Sequence, residues 1–366
     1  MCLVRSASCG WERRSTREIA AEVRLDGTAS RNALHRCRIE PETRASLVPH
    51  AERPRDILSV LDFADELPQI LRRGVELKAE RRRGRSPPVL KGKTLALIFE
   101  KSSTRTRTSF EVGAHDLGGQ SLYLSSKDLQ LGRGETIADT ARVLSRFVDV
   151  IAYRAFRHSD VTELARWASI PVINALDDLE HPCQIAADLL TLHERWGGKF
   201  KGRRLAFIGD GNNVLHSLLL GAASVGLDIA AATPRDYGPR PDVVVAARER
   251  AKEFGSAIDL TDDPKTAAKG ADAIYTDVWV SMGEEAEAAQ REGAFKGYQV
   301  NDELLDLGKL GAFAMHDLPA HRGQEITDAV MDGTRQAIWD QAENRLHAQK
   351  ALIEWIFRPA RATSRR

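Results

Sequence analysis

The stretch Phe99–Glu111, FEKSSTRTRTSFE, joins a predicted strand to a predicted helix and sets the fold of the first half of the chain. The strand is predicted by the apolar run at 95–99, LALIF. The helix is predicted by the spacing of the apolar residues in 110–117. Between them, hydroxyl and guanidinium groups crowd the junction, so this is the first place to look for chemistry.

The side chains at this junction suit a bound anion such as phosphate. Ser103, Thr104 and Thr106 supply hydroxyl donors at the first turn of the helix, where unpaired N–H groups and the helix dipole also favour negative charge. Arg105 adds a planar guanidinium that can bind two phosphate oxygens at once. An N-terminal cap followed by a solvated basic face is the alternative, but three hydroxyls interleaved with arginines exceed what a cap needs.

Length and composition limit the class of protein. The 366 residues are enough for two domains, and the net charge of +1 gives no sign of a polyanion-binding surface. No apolar run approaches the ~18 residues of a membrane-spanning helix. The four cysteines suggest no disulfide framework, and no secretory segment is recognisable, so we expect a cytoplasmic protein.

Residues 1–54 differ in composition from the rest of the chain. They contain ten arginines, no lysine and seven acidic residues, with little apolar periodicity. We expect a poorly ordered or loosely docked extension, although a true start further downstream would explain the segment equally well. The acidic residues argue against a mitochondrial transit peptide. Together with the lack of aromatic residues interleaved among the arginines, they also argue against a nucleic-acid-binding arm. Its cysteines match no strong zinc pattern, so we expect no metal.

From residue 55 onward, the pattern predicts an α/β fold with two domains, each a parallel sheet flanked by helices. We assign 55–185 to the first domain and 186–334 to the second, with a helix at about 335–357 after them. The predicted strands are 94–99, 120–124, 148–153 and 171–174, then 204–208, 227–232, 257–260, 272–276 and 312–315. The main predicted helices are 105–117, 136–147, 159–168 and 183–196.

Polar clusters directly follow six of these strands. Open parallel sheets bind ligands at the carboxyl ends of their strands. Clusters at such ends in two sheets therefore predict one cleft between two domains. The clusters are Ser103–Arg107, Arg154, His181, Asn213, Asp277 and His316-Asp317.

The turn Ile208–Val214, IGDGNNV, has the start of a dinucleotide-binding fingerprint. However, Val214 occupies the place of the third glycine, and no acidic residue ends the next strand, 227–232. We therefore do not expect a nucleotide or another organic cofactor. A ligand contact from Asn213, or a helix cap made by the same residue, fits the turn better.

Ser103–Arg107, STRTR, resembles the carbamoyl-phosphate motif of the aspartate/ornithine carbamoyltransferase family, and later segments resemble its ornithine branch. These are His181–Gln184 (HPCQ), the loop 128–134, Asp277–Glu284 (DVWVSMGE), His316–Pro319 (HDLP) and Glu343–Arg345 (ENR). The resemblance runs from about 55 to 357. It implies that the helix at 335–357 packs back on the first domain, and that the Gln130 loop reaches into a neighbouring subunit's site in a homotrimer.

The resemblance also implies the site residues. Carbamoyl phosphate would be bound by Ser103, Thr104, Arg105, Thr106, Gln130, Arg154, His181, Gln184, Asp317, Leu318 and Arg345. The catalytic residues would be Arg105, His181, Gln184, Asp317 and Arg345. Ornithine would be bound by Asn213, Asp277, Ser281 and Met282.

One position departs from the family pattern, because Asp317 stands where the family motif has cysteine. A carboxylate there attracts the side-chain ammonium of ornithine and repels phosphate. Pairing with the ammonium favours its protonated, non-nucleophilic form, whereas a general-base role would remove that proton. Both roles are open at the level of sequence.

The activity implied by the resemblance is transfer of the carbamoyl group of carbamoyl phosphate to the δ-amine of L-ornithine, giving L-citrulline and phosphate. This is a step of arginine metabolism, either arginine biosynthesis or arginine breakdown. The alternatives are a carbamoyltransferase for a related amine, such as putrescine or an N-acylornithine, and a non-catalytic relative marked by Asp317. No membrane or nucleic-acid partner is expected.

Overall fold

The computed structural model describes residues 55–126, 129–131, 134–281 and 285–358. The extension 1–54 and Met282 therefore lie outside the described residues. No helix in the described ranges is long and apolar enough to span a membrane.

The first sheet has four parallel strands in the order β2-β1-β3-β4. Strand β1 is buried from its second residue onward, which explains its uninterrupted apolar sequence. Helices lie before and between the strands. The elements are α1 (Leu67–Arg82), β1 (Thr94–Phe99), α2 (Thr104–Asp116), β2 (Gln120–Ser125), α3 (Ile137–Leu144), β3 (Val150–Arg154), α4 (His158–Trp167) and β4 (Val172–Leu176).

The second sheet has five parallel strands in the order β7-β6-β5-β8-β9. The long helix α5 (Pro182–Trp196) leads into it and is buried along most of its length. The following elements are β5 (Arg204–Ile208), α6 (Asn213–Val225), β6 (Asp228–Ala232), α7 (Pro241–Phe254), β7 (Ile258–Thr261), α8 (Pro264–Ala268), β8 (Ala273–Thr276), α9 (Ala288–Ala294), α10 (Asp302–Leu305), β9 (Phe313–His316) and α11 (Asp328–Asp332).

The last helix, α12 (Ile338–Phe357), packs against α1, α2 and α5. It therefore returns to the layer of helices that covers the first sheet. We propose on this packing that 55–185 and 335–357 form one domain and that 186–334 forms the other.

The predicted class, an α/β fold with two helix-flanked parallel sheets, is confirmed. Most predicted element bounds lie within two residues of the observed ones, and a larger difference is found at the end of α3, predicted at 147. Helix α3 ends at Leu144, because the N–H groups of Arg146 and Phe147 turn to the carbonyls three residues back, at Val143 and Leu144. Arg154 and His316 are the last residues of β3 and β9, not the first residues after them.

Candidate active site

A cavity of about 540 Å³ lies at the carboxyl ends of the two sheets. It brings together most of the predicted site residues. Of the remaining three, Gln184 is fully buried behind the wall, Gln130 is exposed and does not line the cavity, and Met282 lies outside the described residues. The predicted residues in the wall are Ser103, Thr104, Arg105, Thr106, Arg154, His181, Asn213, Asp277, Ser281, Asp317, Leu318 and Arg345.

The start of α2 forms one side of the cavity. Ser103 is the N-cap, and its hydroxyl accepts the N–H of Thr106 at 3.2 Å. The capping interpretation and the binding interpretation of this segment are therefore both compatible with its geometry. The Thr106 hydroxyl is nearly fully buried and accepts a hydrogen bond from Nη2 of Arg345 at 2.6 Å, which ties this helix to α12.

Three guanidinium groups, those of Arg105, Arg154 and Arg345, face this side of the cavity. None of them has a carboxylate within ion-pair distance in the described part of the chain. Arg345 donates only to neutral groups, on Gln184 and Thr106. Arg154 is 4% exposed, and its Nε has no hydrogen-bond partner among the residues that the structure describes. Burial, together with Arg345 and Arg105, lowers the pKa of Arg154 to about 10. Since burying an unpaired cation is costly, this side is built to receive an anion.

His181 lies between these arginines at the start of α5. Its backbone N–H donates to the hydroxyl of Ser217 at 2.9 Å, and Pro182 follows as the first helical residue. Burial, with Arg345 and Arg154, holds the pKa of His181 well below its usual range. The imidazole is therefore neutral, and its buried Nδ1 has no hydrogen-bond partner among the described residues. It suits a neutral polar group, such as the carbonyl or amide of a substrate.

The opposite side of the cavity carries carboxylates. Thr276 of β8 and His316 of β9 are register partners, so Asp277 and Asp317, one residue further on, come side by side at the sheet edge. Asp277 accepts hydrogen bonds from Nδ2 of Asn212 at 2.8 Å and from the Val278 N–H at 2.7 Å. Oδ1 of Asp317 is buried without a hydrogen-bond partner in the described structure.

Charge on this carboxylate pair is divided unequally. Burial and the neighbouring charge of Asp317 raise the pKa of Asp277 well above its usual range. Two carboxyl groups that share a site hold one proton between them, because both cannot ionise cheaply at close range. The pair therefore carries about one negative charge at neutral pH, and the second charge becomes favourable only when a cation binds.

The ring of His316 supports the strand end. Burial lowers the pKa of His316, but Asp317 and Glu325 outweigh burial and raise it to about 9. The backbone N–H of Leu318 nevertheless donates to Nδ1 at 2.9 Å, which requires an unprotonated Nδ1. Nε2 lies 3.1 Å from Glu325 and serves as the donor. We therefore assign a neutral imidazole.

Asp277, His316 and Asp317 bring possible metal-ligand atoms within 4.8 Å of one another. Both nitrogens of His316 are already engaged, by Leu318 and Glu325. A metal ion would have to break one of these bonds, so the cluster fits a carboxylate pair for a cationic substrate better than a metal centre.

Packing explains Gly211 in the turn Ile208–Val214. A Cβ on Gly211 would lie 2.2 Å from the carbonyl carbon of Gly238, so no side chain fits there. Asn212 is the N-cap of α6 and accepts from the N–H groups of Val214 and Leu215. Asn213 is not the cap: it lines the cavity and donates to the Asp177 carbonyl at 2.6 Å.

Several residues of the site escaped the sequence interpretation. Lys101 and Ser102 lie in the stretch Phe99–Glu111, directly before the predicted anion-binding residues. Asn212 does carry a local signal, because an asparagine before an apolar helix is typical of an N-cap. Of the remaining wall residues, Val214, Val278, Val280 and Pro319 lie in quoted stretches beside predicted residues, whereas Leu176 and His321 carry no local signal.

Fold and cavity together define a class of protein: a two-sheet α/β enzyme whose cavity carries guanidinium groups on one side and carboxyl groups on the other. The chain belongs to the aspartate/ornithine carbamoyltransferase family. Residues 55–194 match the family's carbamoyl-P binding domain, and residues 201–356 match its Asp/Orn binding domain.

Individual relatives fall in the ornithine branch. A catabolic ornithine carbamoyltransferase of Thermoplasma volcanium is 55% identical over 299 residues, covering 82% of this chain and 97% of the relative. An ornithine carbamoyltransferase of Halalkalibacterium halodurans is 54% identical over 300 residues, covering 82% and 94%. Among solved structures, ornithine carbamoyltransferase from Pyrococcus furiosus is 50% identical with a TM-score of 0.79, covering 83% of this chain and 97% of that one.

Proposed function

We propose that this protein transfers the carbamoyl group of carbamoyl phosphate to the δ-amine of L-ornithine, giving L-citrulline and phosphate. The observation that carries the proposal is a single cavity with unpaired guanidinium groups on one side and adjacent carboxylates on the other. A dianionic donor and a diamino acid acceptor fit these two sides. Family membership supports the same assignment.

The cationic side would hold the donor. Its phosphate would lie against the start of α2 and Arg154, where N–H groups, hydroxyls and guanidinium groups converge. The carbonyl oxygen would be polarised by Arg105, His181 and Arg345, with Gln184 behind Arg345. These groups would stabilise the oxyanion of the tetrahedral intermediate, because they are in place before negative charge develops there.

The acidic side would hold the acceptor. We assign the α-amino and α-carboxylate groups of ornithine to Asn213, Asp277, Ser281 and Met282, and the δ-amine to Asp317. With a lysine-like pKa of ~10.4, roughly one δ-amine in a thousand is neutral near pH 7.5, a cost of about 4 kcal/mol. Enclosure and orientation in the cavity would offset this cost.

Asp317 would bind the ammonium and accept its proton. The neutral amine then attacks the carbonyl carbon, a C–N bond forms, and the bond from carbon to the phosphate oxygen breaks. The second amine proton goes to the departing phosphate. The buried oxygen of Asp317 without a hydrogen-bond partner supports this role, because it is open to a donor from the substrate.

The direct test is citrulline and phosphate release with carbamoyl phosphate and ornithine, putrescine or N-acetylornithine side by side. We expect turnover with ornithine, because putrescine lacks the carboxylate and N-acetylornithine lacks the charged α-amine. Arg105→Ala should abolish turnover while circular dichroism shows an intact fold. Normal turnover by that variant, or preference for another amine, would contradict the proposal.

Two further parts of the proposal concern the assembly and the location of the protein. The exposed Gln130 is available to reach a neighbouring subunit, so we propose a homotrimer with shared sites. Light scattering of the unaltered protein would measure its mass. A cytoplasmic location, expected from the cysteine content, stays a prediction.

A further inference from the structure

A fully buried carboxylate, Asp188, lies in α5 behind the wall of the cavity. Oδ1 accepts hydrogen bonds from Nε2 of Gln184 and from Nε2 of Gln341, both at 2.7 Å. Oδ2 accepts from the hydroxyl of Tyr275 at 3.0 Å. No basic side chain lies within ion-pair distance of it in the described part of the chain. Burial raises the pKa of Asp188 to about 7.

An ionised carboxylate only accepts hydrogen bonds, so it dictates how both glutamine amides are turned. Each must direct its NH₂ group at Asp188 and its oxygen away from it. The oxygen of Gln184 accepts from Nη1 of Arg345, which lines the cavity. If Asp188 is protonated, Oδ2 can donate to Tyr275, and Oδ1 still accepts from both amides.

The side-chain amide of Gln341 connects Asp188 to the acidic side of the cavity in the same way. Oε1 of Gln341 accepts the backbone N–H of His316 at 2.9 Å. His316 directly precedes Asp317, the carboxylate that faces the acceptor substrate. One buried carboxylate is therefore two hydrogen bonds away from a guanidinium group on the cationic side and from the strand end on the acidic side.

We propose that Asp188 is a positioning residue that aims the Arg345 guanidinium at the reacting carbonyl through Gln184 and holds the end of β9 through Gln341. This proposal rests on the proposed function, because it assumes that Arg345 acts on the carbonyl of the donor. Asp188 touches neither substrate.

The amide between Asp188 and Arg345 has a physical purpose. A carboxylate in direct contact with Arg345 would neutralise the guanidinium and compete with the developing oxyanion for its N–H groups. Gln184 transmits orientation without neutralising the charge. Asp188 is nevertheless close enough to favour the charged form of Arg345, whose pKa burial lowers.

The experiment compares Asp188→Ser, Asp188→Asn and Tyr275→Phe in the citrulline assay, with thermal unfolding measured for each. Serine both donates and accepts, so it no longer dictates the orientation of Gln184. We expect Asp188→Ser to lower kcat by ~10-fold to ~100-fold. Asp188→Asn keeps one acceptor oxygen and should retain most of the activity. Tyr275→Phe removes the third hydrogen bond but neither amide, and should lower Tm without changing kcat.

A double-mutant cycle separates positioning from a general structural role. Arg345→Gln removes the guanidinium, so adding Asp188→Ser to it should lower kcat by less than threefold. If Asp188→Ser unfolds, Asp188→Ala is used in the same cycle, because a water in the vacated space also both donates and accepts.

Two results would overturn the inference. One is a folded Asp188→Ser protein with the kcat of the unaltered enzyme. The other is multiplication of the two effects in the double variant, which would indicate a general structural role. Absence of citrulline from the unaltered protein would instead refute the proposed function itself, and the same assay reports this before any variant is made.

Discussion

The two sides of the cavity treat buried charge in opposite ways. On the cationic side, Arg105, Arg154 and Arg345 have no carboxylate within ion-pair distance in the described structure, and the pKa of Arg154 falls to about 10. On the acidic side, Asp277 and Asp317 lie against each other, and the pKa of Asp277 is raised well above its usual range. Each side is electrostatically unfavourable when empty, and each becomes favourable when an ion of opposite charge binds.

This difference identifies the kind of ligand that each side accepts. Three separate guanidinium groups match an anion with several oxygens and a charge of about two. Two carboxyl groups that share a proton match a cationic acceptor and can also exchange a proton with it. Variants of the guanidinium side are therefore expected to lose binding of the anion, and variants of the carboxyl side to lose proton transfer.

The largest effect is expected from Arg154→Met, which fills the same space with an apolar chain. Loss of a phosphate contact should reduce kcat/KM for carbamoyl phosphate by ~10³-fold. The same change should raise Tm, because it removes a buried cation that lacks a partner. Steady-state kinetics and thermal unfolding check the two parts. An Arg154→Met protein that is both inactive and less stable would contradict the inference that Arg154 lowers stability and is needed for activity.

The next largest effect is expected at Asp317 and is measured as the pH dependence of kcat/KM for ornithine. If Asp317 accepts the ammonium proton, the transition state keeps that proton, and kcat/KM for ornithine is nearly flat between pH 7 and pH 9. In Asp317→Asn only the neutral amine reacts, so kcat/KM should rise about tenfold per pH unit until the amine pKa of ~10.4 is approached.

Asp317→Cys restores the family residue and should change both the apparent affinity for ornithine and the pH profile. Asp259→Asn, at an exposed carboxylate paired with Arg204 on the far edge of the second sheet, is the matched control. If kcat/KM of Asp317→Asn did not change with pH, the phosphate and not Asp317 would accept the ammonium proton.

A smaller effect is predicted for Asp188, on the way the free energy of unfolding changes with pH. Its pKa of about 7 in the folded protein exceeds the ordinary value of 3.8, so the folded state binds its proton more tightly than the unfolded state. The free energy of unfolding therefore falls as pH rises through this window. Asparagine does not titrate, so the stability of Asp188→Asn relative to the unaltered protein should grow between about pH 4 and pH 7 and then level off. Urea unfolding at several pH values measures this difference, and a constant difference would contradict the assignment.

The smallest effect is expected at Arg322, whose guanidinium bonds to Asp328 and Asp332 on the protein surface. Exposed ion pairs contribute little, because water and salt screen them. Arg322→Ala should leave citrulline formation and Tm unchanged within error. A large loss of activity would show that ion pairs outside the cavity also matter.

Local sequence predicted much of this site, and the reason is visible in particular residues. The hydroxyls and Arg105 follow β1, and Asp277 and His316-Asp317 follow or end β8 and β9, so the rule for the ends of parallel strands placed them together. Asn212 and Asp188 were missed. A capping residue and an acid in a buried helix gain their roles only from partners that are distant in the chain.

By itself the sequence determined the alternation of strands and helices, the anion-binding turn and the position of each polar cluster, because these depend on local periodicity and on residue type. The tertiary structure decided which charges lie unpaired and which lie side by side. It also decided that Asp188 connects the two sides, because pairing and burial depend on distances between segments that no local pattern encodes.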